Sequence, residues 1–278
     1  ASASGGRSRT PVVSAPLADG LVGPLQIDAE GRGVLVAQSF SGTVSVVDRS
    51  GTHDLFNDPG TDGVAWGPFG SIVYTHVVGD DSTEPPTLTG AEIRIRSAKG
   101  TTRTLADLRS FENAKNPDQG NHYGVQGLPA ECAAIFPPEA QVNPYTGGLD
   151  SHPYALRVVR DGVIVADAGA NAIFFVGWRG DIHTLAVLPP QAPVTITAEA
   201  AAANQLPDCV VGHQLVAEPV PTDVEIGPDG NLYVTTLPGG PEDPTLGGRG
   251  SVYRVNWRNG KVAQVATGFL GATNLAIA

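Results

Sequence analysis

Seven polar residues fall at places in the chain where they could share chemistry. Asp62, His152, Asp223 and Asn274 each stand at the opening of an apolar, strand-like run, while His76 and Asp167, with Asn171 close behind, stand where a second such run ends. Carboxylate, imidazole and amide groups brought to strand ends around a common axis would line a ligand-binding mouth. The oxygen-bearing subset Asp62, Asp223 and Asn274 would suit a hard divalent cation such as Ca2+. With a bound metal polarising a carbonyl, His152 or Asp223 could act as the base of a lactonase or esterase. The plainer reading of the same residues is structural, because Asp and Asn at strand ends accept hydrogen bonds from exposed backbone donors. No G-x-S-x-G, H-E-x-x-H, phosphate-binding glycine loop or EF-hand loop is present to decide between the two.

The elements that must position these residues are repeated. PTDVEIGPDGNLYVTT at 221–236 has counterparts beginning at Pro24, Thr61 and Pro153, and the last residues, 273–278, lie just inside another copy. Each copy is an apolar strand, a turn holding Gly33, Gly70, Gly162 or Gly230, and a second alternating strand. Two further strand-like runs follow, separated by Gly51, Gly100, Gly180 or Gly260. Four short antiparallel strands per repeat predict an all-β fold with minor helical insertions, a β-propeller of about four blades plus a stub. A β-sandwich also offers many short strands, but it has no reason to repeat one signature in register. The expected organisation is a flexible segment over 1–9 and one propeller domain over 10–278, incomplete at its C-terminal end. The run from Thr10 resembles the end of a repeat and could complete the last blade, removing exposed sheet edges.

The repeat phase fixes which connections share a face. Turns within the first and second strand pairs are short and glycine-based, whereas the long segments 76–90, 111–152, 189–220 and 236–250 all fall in the other class of connection. They therefore project from one face, the expected binding surface for a protein or small-molecule ligand. Within them, Thr197 caps a predicted helix over 198–204, and 105–115 holds another turn or two. Cys132 and Cys209 lie outside every predicted strand, in neighbouring links. A disulfide, two free thiols or a metal site are the alternatives, with the even count in an exported chain favouring the disulfide. Arg179-Gly180-Asp181 spells an adhesion tripeptide but occupies an expected turn, and Trp178 and Trp257 sit at equivalent strand ends, where blade packing accounts for them.

The net charge of −11 argues against a nucleic-acid partner, whose phosphates require a basic surface. No run is long and apolar enough to cross a bilayer as a helix. The small-residue start ASASGG, without Met, fits a secreted product of signal-peptide cleavage.

NPDQGNHYG, CAAIFPP, DSHPYALRVV, VIVADAGANAI, PVPTDVEIGPDGNLYVTTLPGGPEDP, GRGSVYRVNW and TGFLGATNLAIA together resemble the ScyD/ScyE family of exported bacterial proteins over nearly the whole chain. That resemblance implies a six-bladed propeller related to NHL-repeat and gluconolactonase-like proteins, a natural chain longer by roughly one and a half repeats of some 40 residues, and no settled activity. Gluconolactonase-like relatives hold a divalent metal in the channel with Glu, Asn and Asp. Here only Asp223 and Asn274 stand where such ligands would be, and Gln26 replaces a carboxylate. The expectation is a secreted, non-catalytic binding or scaffold protein. The alternatives are a metal-dependent hydrolase and a subunit of an extracellular assembly or homo-oligomer.

Overall fold

Strand-forming runs with glycine at their turns fold into five four-stranded antiparallel sheets among the described residues. The computed structural model describes residues 15–29, 33–80, 87–137, 140–241 and 243–277. The first sheet contains β1 (Pro24–Asp28), β2 (Val34–Gln38), β3 (Thr43–Asp48) and β4 (Gly51–Asn57). The second contains β5 (Val64–Trp66), β6 (Ile72–Asp80), β7 (Thr87–Arg96) and β8 (Thr102–Asp107). After β9 (His122–Gln126) and β10 (Tyr145–Thr146) comes the third repeat: β11 (Pro153–Val159), β12 (Gly162–Asp167), β13 (Ala172–Gly177) and β14 (Ile182–Val187). Then β15 (Val194–Thr195) and β16 (Gln214–Val216) precede the fourth: β17 (Pro221–Ile226), β18 (Leu232–Thr236), β19 (Gly250–Asn256) and β20 (Lys261–Phe269). Each repeat pairs in simple up-and-down order, so the four repeats are propeller blades.

Period-two alternation explains how the blades pack. β12 is buried along its whole length; Val163 and Val165 enter a core shared with Val73, Ile93 and Leu105 of the second blade, while Ile164 and Ala166 enter one shared with Val224, Leu232 and Val234 of the fourth. Leu35, Ala37 and Val44 meet Val64, Ile72 and Tyr74 between the first two blades. Each such buried aliphatic side chain contributes about 1.5–3 kcal/mol relative to exposure. At the centre, Gln26 Oε1 accepts from the Val64 N–H (2.8 Å) and the Leu156 N–H (3.4 Å), and its Nε2 donates to Asp223 Oδ1 (3.4 Å). One amide side chain thus links the inner strands of all four blades.

The long segments are more ordered than loops. β6 and β7 carry strand pairing through much of 76–90, from His76 opposite Glu92 to Asp80 opposite Thr87, with 81–86 outside the described residues. The two largest segments supply the fifth sheet, in the order β10-β9-β16-β15, where Leu215 of one insertion pairs with Val125 of the other. Cys132, in α2 (Ala130–Ala133), is bonded to Cys209, in a 3-10 turn at Asp208–Val210, with a Cα–Cα distance of 5.9 Å. Around them Val125, Ile196, Ala201 and Val210 form a separate small core. The expected helices are α1 (Leu108–Lys115), capped by Asp107 accepting from the Ser110 N–H, and α3 (Ala198–Ala203), capped by Thr197 accepting from the Ala200 N–H.

The segment 1–9 and the start of the proposed closing strand, 10–14, lie outside the described residues, and 15–23 contain no strand. Arg179-Gly180-Asp181 is a turn, with Gly180 N–H donating to Gly177 O and Gly177 N–H to Asp181 O. Trp178 and Trp257 pack against the inter-blade cores.

Candidate functional site

The fifth sheet caps the third blade, and Asn171 joins the two, with Asn121 Nδ2 adding a bond to the Leu188 carbonyl (3.1 Å). Asn171 follows β12 in the left-handed region (φ 50°), where Asn is tolerated better than most residues, and it is fully buried. Its Nδ2 donates to Asp118 Oδ2 (3.0 Å) and Glu218 Oε2 (3.2 Å), and its Oδ1 accepts from the Val220 N–H (3.1 Å). Asp118 belongs to the first large insertion, and Glu218 and Val220 to the second. Val220 itself sits at φ 50°, an outlier for a β-branched residue that costs on the order of 1–3 kcal/mol.

A cluster of carboxyl groups surrounds this junction. Asp118 is buried, accepts from the Tyr123 hydroxyl (3.2 Å) and packs against Gly147, where any Cβ would collide with its carboxylate. Burial pushes the acids of Asp118, Asp167 and Glu218 above their ordinary range, partly opposed by the hydrogen bonds each accepts. Glu112 on α1 is the extreme member. Its side chain is wholly buried, and neither carboxyl oxygen has a hydrogen-bond partner among the described residues. Burial first, and then Asp167, Asp118 and Asp150, push it up to about 8.

Glu218 forms the polar end of a cavity of about 480 Å³. Its Oε1 accepts from the Tyr145 hydroxyl (2.9 Å), and its backbone carbonyl accepts from Gln191 Nε2 and the Gly239 N–H. The remaining walls are mainly apolar, including Val125, Ile196, Leu215, Leu237 and Leu246. They come from three of the four long segments, so a concave, largely apolar site stands on the face expected for binding.

Six of the seven residues singled out from sequence fall into three groups, and His76 stands alone. His152 and Asp62 meet, with His152 Nε2 2.8 Å from Asp62 Oδ2, and the His152 N–H donates to Asp167 Oδ1 (2.7 Å). Burial pulls the His152 imidazole down, but Asp62, Asp167 and Asp150 together outweigh it and hold its affinity for a proton above the ordinary histidine value. Asp167 also accepts from Ser151 Oγ and the Ala170 N–H, the structural role open to any aspartate at a strand end. Asn171 belongs to the carboxyl junction just described. Asp223 stands at the centre of the blades, accepting from the N–H groups of Val224 (2.9 Å) and Leu275 (2.8 Å), with Asn274 lining the same channel.

His76 is apart from all of these. Its Nδ1 lies 3.3 Å from Asp58 Oδ1 between the first two blades, and burial lowers its affinity for a proton despite that neighbour. Of the residues suggested for Ca2+, Asp62 is engaged by His152, Asp223 by backbone donors and Gln26, and Asn274 lines the channel beside Asp223. Among the described residues, no group of three His, Cys, Asp or Glu side chains is arranged to hold a metal ion. Glu112, Asp118, Tyr145 and Glu218 went unrecognised in the sequence because they lie in segments without repeat phase. Only Glu112 carried a signal, since it falls one helical turn after Leu108 and beside Phe111, on the apolar stripe of α1.

No protein family matches the chain, and no curated protein matches it. Among solved structures, the chain is similar to one from a nidogen/laminin complex (14% identity, TM-score 0.41), covering 85% of this chain and 59% of that one. A streptogramin B lyase is 17% identical, with a TM-score of 0.38 and coverage of 87% of this chain and 68% of that one. For a putative 6-phosphogluconolactonase from Bacteroides uniformis the identity is 14%, the TM-score 0.40 and the coverage 88% and 57%. The chain thus spans less than two thirds of the first and third of these structures. Likeness this distant says nothing about chemistry, which rests on the residues themselves. No helix among the described residues is long and apolar enough to cross a membrane.

Proposed function

We propose that this is an exported propeller of the ScyD/ScyE kind that binds a small ligand on its long-loop face without transforming it. The cavity ending on Glu218 carries the reading. Its volume falls within the range of about 300–1,000 Å³ usual for small-molecule sites, and its walls call for an apolar ligand body. A carboxylate already receiving Tyr145 and Asn171 would accept one further donor, so the favoured ligand presents an ammonium group. A net charge of −11 would draw such a cation in. The disulfide supports export, because such bonds persist in oxidising compartments.

Calorimetric titration with phenethylammonium, phenethyl alcohol and phenylacetate tests this reading. The ammonium compound should bind tightest, with about a tenfold loss in Glu218→Gln if the added charge contributes about 1.4 kcal/mol. Equal binding of all three, or of none, refutes it. The hydrolase alternative draws on one observation, the His152–Asp62 pair at 2.8 Å, which has the form of a general base and its orienting acid. Neither side chain lines the cavity. Lactone turnover abolished in His152→Ala would favour that reading instead.

A further inference from the structure

The second and fourth blades contain the same turn sequence, G-P-x-G, at 67–70 and 227–230, but use it differently. In the fourth blade the variable residue is Asp229. Its carboxylate accepts from the Asn231 N–H (3.1 Å) and Asn231 Nδ2 (2.7 Å), holding the turn together. In the second blade the residue is Phe69, which is fully exposed at 101% of its reference area and lies at φ 57°, ψ 28°. A positive φ at a bulky residue costs about 1–3 kcal/mol. Phe69 returns neither core burial nor a turn hydrogen bond for that strain.

Phe69 instead forms one wall of an open groove of about 710 Å³ between the second and third blades, on the face opposite the cap sheet. Pro68, Ile95 and Trp178 complete the apolar lining. The Trp178 ring is fixed by its Nε1–H donating to the Arg160 carbonyl (3.0 Å). Arg103 and Arg160 also line this groove, and Arg160, on the turn between the two inter-blade grooves, lines the one beside Trp257 as well. Neither is paired with a carboxylate among the described residues, and Arg103 reaches only the Thr104 carbonyl at 3.5 Å. The chain has 28 acidic against 17 basic residues, so two unpaired arginines beside one apolar groove run against its overall charge. The corresponding groove between the third and fourth blades, beside Trp257, is smaller at about 300 Å³ and sets Asp161 next to Arg160 in its lining.

We propose that the groove at Phe69 and Trp178 is a binding site for a planar, apolar carboxylate. The ligand's ring would lie against the two aromatic side chains, and its carboxylate would receive hydrogen bonds from Arg103 and Arg160, whose planar guanidinium groups match carboxylate geometry. This site is separate from the Glu218 cavity and asks for a ligand of opposite charge.

Titration with 2-naphthoate tests the proposal, read by calorimetry and by the indole N–H resonances of the three tryptophans, Trp66, Trp178 and Trp257. The Trp178 resonance should shift, the neutral analogue 2-naphthalenemethanol should bind about tenfold more weakly, and Arg103→Gln and Arg160→Gln should each weaken naphthoate by about fivefold to tenfold. Phe69→Gly separates binding from folding, because it relieves the positive φ and should leave the melting temperature equal or higher while weakening naphthoate at least tenfold. Equal affinity for acid and alcohol, no effect of Phe69→Gly, or a shift confined to Trp257 overturns the proposal. Self-association through this face that naphthoate does not reverse overturns it as well.

Discussion

Replacing Glu112 by Gln should stabilise the protein, and by more as the pH rises. The native carboxyl titrates near 8 against an ordinary value of 4.5, so folding takes up a proton between those values. Because the native state then holds more protons than the unfolded chain, stability falls as pH rises through that window, and below 4.5 the group imposes no penalty. At pH 7 the full displacement corresponds to about 3 kcal/mol, and relaxation around the ionised group reduces a realistic figure to about 2 kcal/mol. Gln keeps the neutral shape and volume, and its amide offers a donor to a neighbourhood of acceptors. Melting followed by circular dichroism at pH 5, 7 and 8.5 should show wild type and variant nearly coincident at pH 5. At pH 7 they should differ by roughly 4–8 °C, with a wider gap at pH 8.5. Asp118, Asp167 and Glu218 also titrate high, so the reported quantity is the difference between the two proteins, with the exposed Glu131→Gln as control. Parallel curves from pH 5 to 8.5 would falsify the account of Glu112 as a buried acid kept protonated by its neighbours.

Three further outcomes follow from the same geometry. Cys132→Ser with Cys209→Ser should cost up to about 4 kcal/mol, from the entropy of a loop closed over 77 residues, and should expose the amides of β9 and β16 to hydrogen exchange before those of β12. Gly147→Ala should destabilise by about 1–3 kcal/mol, because the new methyl group takes space held by the Asp118 carboxylate; unchanged melting would show that the junction can yield. His152 should titrate above the ordinary histidine value by NMR and fall in Asp62→Asn. The stabilisation from the pair, at most about 1 kcal/mol given its partial exposure, is complete below pH 6.5 and lost as pH rises through the native value.

The blades were legible in the sequence because each repeats a local rule: alternation at period two, a glycine where the turn needs it, and a constant order of strands. Asp167 ends β12, as its spacing implied, whereas Asp223 lies inside β17 just after a register shift, and the backbone donors that both receive reflect a structural role. The cap sheet obeys no local rule. β10 and β15 have two residues each, and β9 meets β16 across about ninety positions of intervening chain, so neither alternation nor a turn announces the pairing. The site inherits this difference. Asn171 could be picked out from the repeat phase, whereas Asp118 and Glu218, which give it its partners, depend on long-range contacts that composition and spacing do not encode. His76 lay in phase with the repeat yet faces Asp58, because β6 continues as a long hairpin strand instead of ending at the channel mouth.

The bond between Cys132 and Cys209 also changes how the chain would carry load. The third blade, from Pro153 to Val187, lies wholly between the two half-cystines. Tension applied at the chain ends passes through the sulfur bridge and bypasses that blade. About 250 Å of contour length, at roughly 3.3 Å per extended residue, would stay hidden from a pulling experiment until the bridge is reduced. The third blade is therefore mechanically shielded by a bond that touches none of its strands.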